Sequence, residues 1–597
     1  MAKCTQIGKI FHIPFVLSFL RSKAKQKVSK DELKKIYGVH GSIHPPTLKL
    51  RRTLTTNGIK FSHTTKPPII IATLAGVFVF CILGIPFTHW WFNGCDDFGG
   101  AYIGFVTKTW RQLFYFFING HINQALGPSN LPHQQATITF FNAYYRPVYL
   151  IFITLQYWLF GLNAYGYFLC NVFFHALNTS LLVLIFSWLT SLLPALCAAL
   201  LFAFHPQIGY RFGAIVNLHY YVSVSCILGA LIFYKRYLDQ QHIWPYALSC
   251  WLFACSLFTR ESSLVFPAII TLGTYVYDNR NSLWCAIKKA AGFWIIAISF
   301  LLLRVSLFPL HFVTTTSPSL ALFFRTKFNE GLVFLYDAFW LSWLPWGHPI
   351  LRGALLAILI TLFMWLFVTN TRKKFLTCFL ISATLMLWPA YVGCYSPRYI
   401  YEALPFILLF FIGCFQWAPL PLQHFKKIGF GLLPIAVVFF MVLTLDNMQH
   451  RERKMHVVAQ ALHNLTNYPG IRNKPLYLLS YPMDGLGDQP TDIIRAMLNN
   501  AAAVIYTTPA AAFVQIGAHI VTPSTWRNVS SDYYNENFAT ITPTPEGVHY
   551  HIHKPDKIYF ITQEGVQDFT IHIERQLIKE NPCFLAWDAV HGLFKTL

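Results

Sequence analysis

Acidic side chains are scarce through the middle of this chain: between residues 68 and 445 there are only Asp96, Asp97, Asp239, Glu261, Asp278, Glu330, Asp337 and Glu402. Together with 55% hydrophobic and 12% charged residues over 597 positions, that scarcity excludes an ordinary soluble globule and points to a polytopic membrane protein. The 13 cysteines lack any metal-ligand spacing, and most lie inside apolar runs where they act as small hydrophobes. Only Cys95, Cys394 and Cys583 are expected outside the membrane, which permits a disulfide without indicating one. The short apolar run over 10–20 is followed by Arg21, Lys23, Lys25 and Lys27 instead of a small-residue cleavage site, so a cleavable signal peptide is not expected. No convincing internal repeat is present, which counts against a transporter or flippase.

What is abundant is positive charge, and its distribution carries the information. The formal net charge is +22, concentrated in the first 67 residues and beside apolar runs. Anionic lipid headgroups, not nucleic acid, are therefore the expected partner of these bases. The chain divides into a basic tail (1–67), a membrane region (68–445) and a final segment (446–597). In that last segment long apolar runs give way to short strand-like pieces (475–480, 557–562, 569–573) and helical ones (451–465, 492–499). A small α/β or α+β soluble domain is expected there.

The first uncharged run, 69–91, is long enough to cross a bilayer. Two aromatic-rich stretches follow, 110–118 and 149–160, the second opened by Arg146-Pro147, and both read as helices lying in the membrane interface. Counting 149–160 as a span is the main alternative, and loop charge decides against it. With that stretch interfacial, spans follow at 165–188, 192–204, 217–234, 244–258, 262–277, 289–307, 350–369, 375–392, 402–418 and 427–445, about eleven with the first. Loops on the side of the basic N-terminus then carry Lys235, Arg236, Arg280, Lys288, Lys289, Arg372, Lys373, Lys374, Lys426 and Lys427, against Arg211, Arg260 and Arg398 in the short opposite loops. This bias predicts a cytoplasmic N-terminus and an extracytoplasmic C-terminal domain. The stretch 308–349 becomes a second long outer loop, with Pro309, Pro318, Pro345 and Pro349 arguing against one continuous helix.

That topology gathers polar side chains on the outer face. Asp96 and Asp97 follow the first span, inside Asn93-Gly94-Cys95-Asp96-Asp97-Phe98-Gly99-Gly100. They are either an interfacial turn or a pair of carboxylates kept for chemistry. Arg146, His175 with Asn171, His205, Arg211, Asn217, His219, Arg260 with Glu261, and Arg398 with Glu402 are expected on the same side. Plain structural roles exist for several of them. His175 and Asn171, four apart, can join helices by hydrogen bonds. Arg398 and Glu402, also four apart, can be a simple ion pair, and Arg260 can snorkel to the interface.

Acids from one loop and arginines from three others suit transfer of a sugar from a polyprenyl phosphate: arginines clamp the anionic leaving group and a carboxylate takes the acceptor proton. The order of motifs resembles the C-type glycosyltransferase superfamily of integral membrane enzymes, close to the protein O-mannosyltransferases, their tetratricopeptide-linked relatives and the aminoarabinose transferases. The residues that carry the resemblance are Cys95-Asp96-Asp97-Phe98, Tyr145-Arg146-Pro147-Val148-Tyr149 with Phe160-Gly161, Asn171 to His175, Leu200 to Pro206, Thr259-Arg260-Glu261-Ser262-Ser263, and more weakly Ser396-Pro397-Arg398-Tyr399.

The resemblance implies an inverting transfer at the extracytoplasmic face to a protein, lipid or glycan acceptor, in a multi-pass protein such as those of the bacterial inner membrane. It further implies a first-loop Asp as base or acceptor-positioning group, Asp96 ahead of Asp97. From the convergence of charge on one face, Arg260, Arg398 and Arg211 are expected on the donor phosphate, and Arg146, His175, His205, His219, Glu261 and Glu402 around the substrate. No cofactor is required, although the acid and His positions could hold a divalent ion. Tetratricopeptide repeats and a β-trefoil are both missing from the sequence. A transporter or flippase and a non-catalytic membrane scaffold are the alternative functions.

Overall fold

The computed structural model describes residues 66–88, 90, 101, 103–104, 107–119, 145–211, 214–277, 282–307, 320–338, 349–370, 372–389, 397–418 and 423–466, and seven short strands beyond residue 475. Asp96 and Asp97, the basic tail before residue 66, and the expected pieces at 492–499 and 557–562 lie outside the described residues.

The described membrane region is entirely helical, as a bilayer requires of backbone that must satisfy its own hydrogen bonds. Helix α1 (Lys66–Gly84) packs along α4 (Ala164–Phe186). The crossing is close because Gly76 faces Ser180: a Cβ at Gly76 would run into the Ser180 hydroxyl and lie 3.1 Å from the Ala176 carbonyl oxygen. Between them in sequence come α2 (Trp110–Asn119) and α3 (Pro147–Phe160), at the positions expected for the two aromatic helices. Pro147 starts α3 at the one place where its missing N–H costs nothing. Gly161 ends it with φ +56°, a conformation open to glycine.

The chain continues through α5 (Leu192–Ala203), the short α6 (Pro206–Arg211), and a 3-10 turn Ile215–Asn217, which leads into α7 (Leu218–Gln240). Helix α8 (Ile243–Thr259) returns along α7 as a hairpin turned by Gln241, a left-handed residue with φ 58°. A 3-10 turn, Glu261–Val265, opens α9 (Phe266–Tyr277). Then come α10 (Leu283–Lys289), α11 (Ala291–Leu307), α12 (Leu320–Ala338), α13 (Pro349–Thr369) and α14 (Lys373–Met386). The 3-10 turn Pro397–Tyr399, α15 (Ile400–Gln416) and α16 (Gln423–Thr466) complete the helices. One continuous apolar core joins residues of α1, α4, α5, α7, α8, α9, α11, α15 and α16.

Four described helices are long and apolar enough to cross a bilayer: Ala164–Phe186, Leu218–Gln240, Leu351–Thr369 and Lys426–Arg453. The bent pair α10–α11, with 67° between its halves, makes a fifth if counted as one span. Several other expected spans are shorter apolar helices, Pro68–Gly84, Leu192–Ile208, Ile243–Thr259 and Ile400–Gln416.

The stretch 308–349 contains a helix of 19 residues, α12, bracketed by Pro318 and Pro345. One detail departs from the sequence expectations. The end of the last span and the expected helix at 451–465 are one helix of 44 residues, α16. At 1.5 Å per residue it reaches about 66 Å, far more than an apolar bilayer core of about 30 Å. Polarity changes at Asp446, but nothing there breaks the backbone. Beyond α16, the described strands form a sheet in the order β2-β1-β6-β7 and a second in the order β3-β4-β5. In the first, β1 (Leu476–Leu478) runs parallel to both β2 (Val514–Ile516) and β6 (Cys583–Asp588), and β7 (Leu593–Thr596) closes antiparallel on β6. The second sheet, β3 (Ala539–Thr544), β4 (Gly547–Ile552) and β5 (Phe569–Glu574), is antiparallel throughout.

Candidate active site

The turn after α8 is fixed by hydroxyls. Ser223 of α7 and Ser256 of α8 meet Ser263 of the turn in a buried triangle with O···O separations of 2.9, 3.0 and 2.6 Å, and Ser256 also donates to the Ser223 carbonyl. Trp388 donates its indole N–H to the Ser262 carbonyl at 3.1 Å. With the turn pinned on both sides, Arg260 leaves α8 in extended conformation and projects toward α15.

There its Nε donates to Glu402 Oε1 at 2.8 Å and approaches Ser262 Oγ at 2.8 Å, while Ser262 Oγ donates to the same Glu402 oxygen at 2.6 Å. The guanidinium lies over the Tyr220 ring, 3.7 Å from its centroid, and 5.4 Å from that of Tyr399. Burial works against the charge of Arg260, but the Glu402 carboxylate outweighs it and holds the guanidinium's pKa above its ordinary value. Glu402 sits in the first turn of α15, where the helix dipole favours a carboxylate. Its Oε2 is buried and has no hydrogen-bond partner among the described residues.

A second ion pair crosses the first. Arg146, the residue before α3, donates through Nε to Glu261 Oε2 at 2.8 Å. Burial raises the Glu261 carboxyl, yet Arg146 and the turn's own backbone overcome that and hold it below the usual carboxylate range. This pair is partly exposed, whereas Arg260 and Glu402 are buried. Each arginine is thus paired with an acid distant in sequence: Glu261 serves Arg146, and Glu402 serves Arg260.

Arg398, in the turn that precedes α15, lines a cavity of about 10 Å³ with Gln207, Asn217, Tyr220, Tyr221 and Tyr401. That is room for about one water molecule. Gln207 in turn donates to the buried Asp337 of α12 at 2.7 Å.

The histidines are held by backbone. His219 must donate through Nδ1 to the Val216 carbonyl at 2.6 Å, which leaves Nε2 as an acceptor. Tyr149 of α3 meets its ring edge-on with centroids 5.0 Å apart. The Nε2 of His175 lies 3.0 Å from the Ala203 carbonyl, so it carries the proton and Nδ1 accepts from the Tyr401 hydroxyl at 2.9 Å. That hydroxyl then accepts from Asn178 Nδ2 at 2.9 Å, and Ser225 donates to Asn178 Oδ1 at 2.6 Å. Both His175 nitrogens are used within the protein, and the residue bears on the cavity through Tyr401. Asn171 donates to the Ala214 carbonyl at 3.3 Å, so the two side chains expected on one helical face serve different partners. His205 is buried at the α5–α6 turn with its ring edge-on to Phe440. Arg211 ends α6.

Arg260, Glu402 and His219 are joined through Tyr220 and Tyr399, with Tyr149 against His219; Glu261, paired with Arg146, adjoins them as the next residue after Arg260, and Arg398 shares the small cavity with Tyr220. Sequence reasoning assigned no role to Tyr220, Tyr401 or Asn178, and carried Tyr399 and Ser262 only as members of quoted motifs. In a chain with 17% aromatic residues no single Tyr stands out. The signals present were motif membership for Tyr399 and Ser262, and adjacency to His219 and Glu402 for Tyr220 and Tyr401. Among the described residues no group of three or more His, Cys, Asp or Glu could hold a metal ion.

No protein-family model matches the chain, and no curated protein sequence matches it. Among solved structures it is similar to the crystal structure of ArnT from Cupriavidus metallidurans bound to undecaprenyl phosphate, at 13% identity, covering 74% of this chain and 85% of that one, with a TM-score of 0.43.

Proposed function

We propose that this protein is a membrane glycosyltransferase that moves a sugar from a polyprenyl-phosphate donor to a protein, lipid or glycan acceptor at the extracytoplasmic face. The observation that carries the proposal is the crossed pair of salt bridges, Arg146–Glu261 and Arg260–Glu402, beside a cavity lined by Arg398. Arg146 and Arg260, fixed by acids, Ser262 and Tyr220, form with Arg398 a preorganised field for a developing phosphate anion. In this reading the N-terminal tail (1–67) is cytoplasmic and the segment 446–597 extracytoplasmic, in accord with the loop-charge bias.

The chemistry follows from the charges. Asp96 takes the proton of the acceptor hydroxyl, and the oxygen attacks the anomeric carbon with inversion. The bond from that carbon to the phosphate oxygen breaks and the polyprenyl phosphate leaves with the electron pair. Asp97 orients the acceptor. Arg398 contacts the phosphate directly, from its place beside Tyr220 in the turn before α15. Arg260, locked by Glu402, Ser262 and Tyr220, supplies fixed positive potential, and Arg146, the more exposed of the paired arginines, exchanges Glu261 for phosphate. In this reading Arg211 is a further contact for the donor phosphate, His219 supports Tyr220, and His175 orients the Tyr401 hydroxyl that lines the cavity.

A transporter would instead place broken helices at mid-membrane. The bend here falls between α10, which ends in Lys288 and Lys289, and the apolar α11. Taken as one span, the pair is broken at its basic end, next to Lys288 and Lys289.

The test is sugar release from a synthetic polyprenyl-phosphate sugar by the full chain in proteoliposomes. Wild type should liberate polyprenyl phosphate, and Asp96→Asn should lower turnover roughly 10²–10⁴-fold with folding intact. Equal turnover in wild type, Asp96→Asn and Asp97→Asn removes the carboxylates from the mechanism.

A further inference from the structure

The start of α2 and the end of α3 enclose an open cleft of about 370 Å³, away from the arginine cluster and lined by Gly104, Lys108, Trp110, Tyr157 and Trp158. Its walls are built in place. Trp158 donates its indole N–H to the Thr107 carbonyl at 2.9 Å, and Trp110 stands edge-on to it with centroids 4.9 Å apart. Gly104 lets the Tyr157 ring lie flush on the floor, since a Cβ there would run into it. Gln112 Oε1 accepts from the backbone N–H of Lys108 and of Thr109, at 2.7 and 3.0 Å. The helix start is thereby capped from within, and the positive character of the rim comes from the Lys108 and Arg111 side chains, both exposed.

Two further observations define the occupant. Trp110 and Phe114, one helical turn apart, are 66% and 69% exposed, an apolar face that α2 presents beside the cleft. No carboxylate residue occurs anywhere between Asp97 and Asp239, so this stretch of chain, including both cleft helices, brings cations and no acid. Tryptophan and tyrosine at headgroup depth, an exposed apolar stripe and adjacent bases are the features by which an amphipathic helix rests on an anionic membrane surface.

We propose that this cleft holds the headgroup of an anionic glycerophospholipid, with the phosphate at Lys108 and the glycerol and upper acyl carbons against Trp110 and Trp158. The site anchors the α2–α3 pair to the lipid surface, and it stands whether or not the chain transfers sugar.

The experiment counts lipids retained by the full chain in nanodiscs of phosphatidylcholine doped with phosphatidylglycerol, read by native mass spectrometry. Wild type should retain phosphatidylglycerol in preference to phosphatidylcholine. Lys108→Gln should weaken that preference roughly fivefold, the equivalent of the about 1 kcal/mol that one basic residue contributes at an anionic surface. Lys108→Arg and Trp110→Phe should keep it, and Trp110→Ala should lower the number of phosphatidylglycerol molecules retained. Lys108 is exposed, so its replacement leaves the fold in place. Equal retention of the two lipids by wild type, or unchanged preference in Lys108→Gln, overturns the proposal. So does displacement of phosphatidylglycerol by equimolar polyprenyl phosphate, which would give the cleft to the donor lipid.

Discussion

Arg260 donates to Glu402, 142 positions along the chain, and not to the Glu261 beside it. Glu402 lies one helical turn beyond Arg398 and receives Arg260 on its Oε1. The pair is buried, so its partners depend on each other. Glu402→Gln should leave a buried guanidinium uncompensated and cost about 3–5 kcal/mol, whereas replacing both members with apolar residues of similar volume should cost far less. Thermal unfolding of the single and double variants in detergent checks this, and additive losses would contradict the pairing.

The Arg146–Glu261 pair carries a pH signature. The folded-state pKa of Glu261 is depressed, so its contribution to stability is complete above the unfolded value, about 4.3, and disappears as pH falls through the folded one. Acid unfolding of Glu261→Gln should begin from a lower plateau and show a shallower slope in that window. A slope identical to wild type would mean the carboxylate is not held by Arg146.

Removing one hydroxyl tests the proton assignment at His175. In Tyr401→Phe both His175 Nδ1 and an Asn178 amide hydrogen lose their shared partner inside the protein. The expected loss is about 1–3 kcal/mol. Nitrogen chemical shifts of the His175 ring should report the proton on Nε2, in line with its bond to the Ala203 carbonyl. A proton on Nδ1 would reverse the network.

The α1–α4 crossing offers a packing test. Gly76→Ala should destabilise by about 1–3 kcal/mol, the usual range for overpacking, because the new methyl meets Ser180. Adding Ser180→Ala should restore part of the loss but not all, since the Ala176 carbonyl oxygen remains 3.1 Å away. Full tolerance of Gly76→Ala would show that the helices separate freely.

Helices were legible where apolar runs and their punctuation coincide. Arg146-Pro147 and Gly161 bound α3 because Pro fixes the first turn and Gly supplies the left-handed end. The end of α16 was not legible from polarity, since a helix emerging from a membrane changes its surroundings without breaking its backbone. For the site, the motif residues Arg146, Arg260, Glu261, Arg398 and Glu402 fall into one cluster, but their pairing could not be read. Neighbours in sequence such as Arg260 and Glu261 leave a 3-10 turn in different directions, so partners are set by which helices meet. The tyrosines that cover Arg260 escaped for a similar reason: an aromatic ring becomes a cation platform only when a second helix brings the cation.

The central claim is that Arg398 meets the donor phosphate directly while Arg260 is held in place by Glu402. The most direct measurement is the affinity of the full chain for a polyprenyl phosphate in Arg398→Lys and Arg260→Lys, each keeping its charge and losing the planar fork. The account predicts weakened binding in Arg398→Lys by about tenfold, the 1.4 kcal/mol expected of one charge-assisted hydrogen bond, with little change in Arg260→Lys once folding is matched. Unchanged affinity in both variants would contradict it, and would leave the arginine cluster as scaffold only.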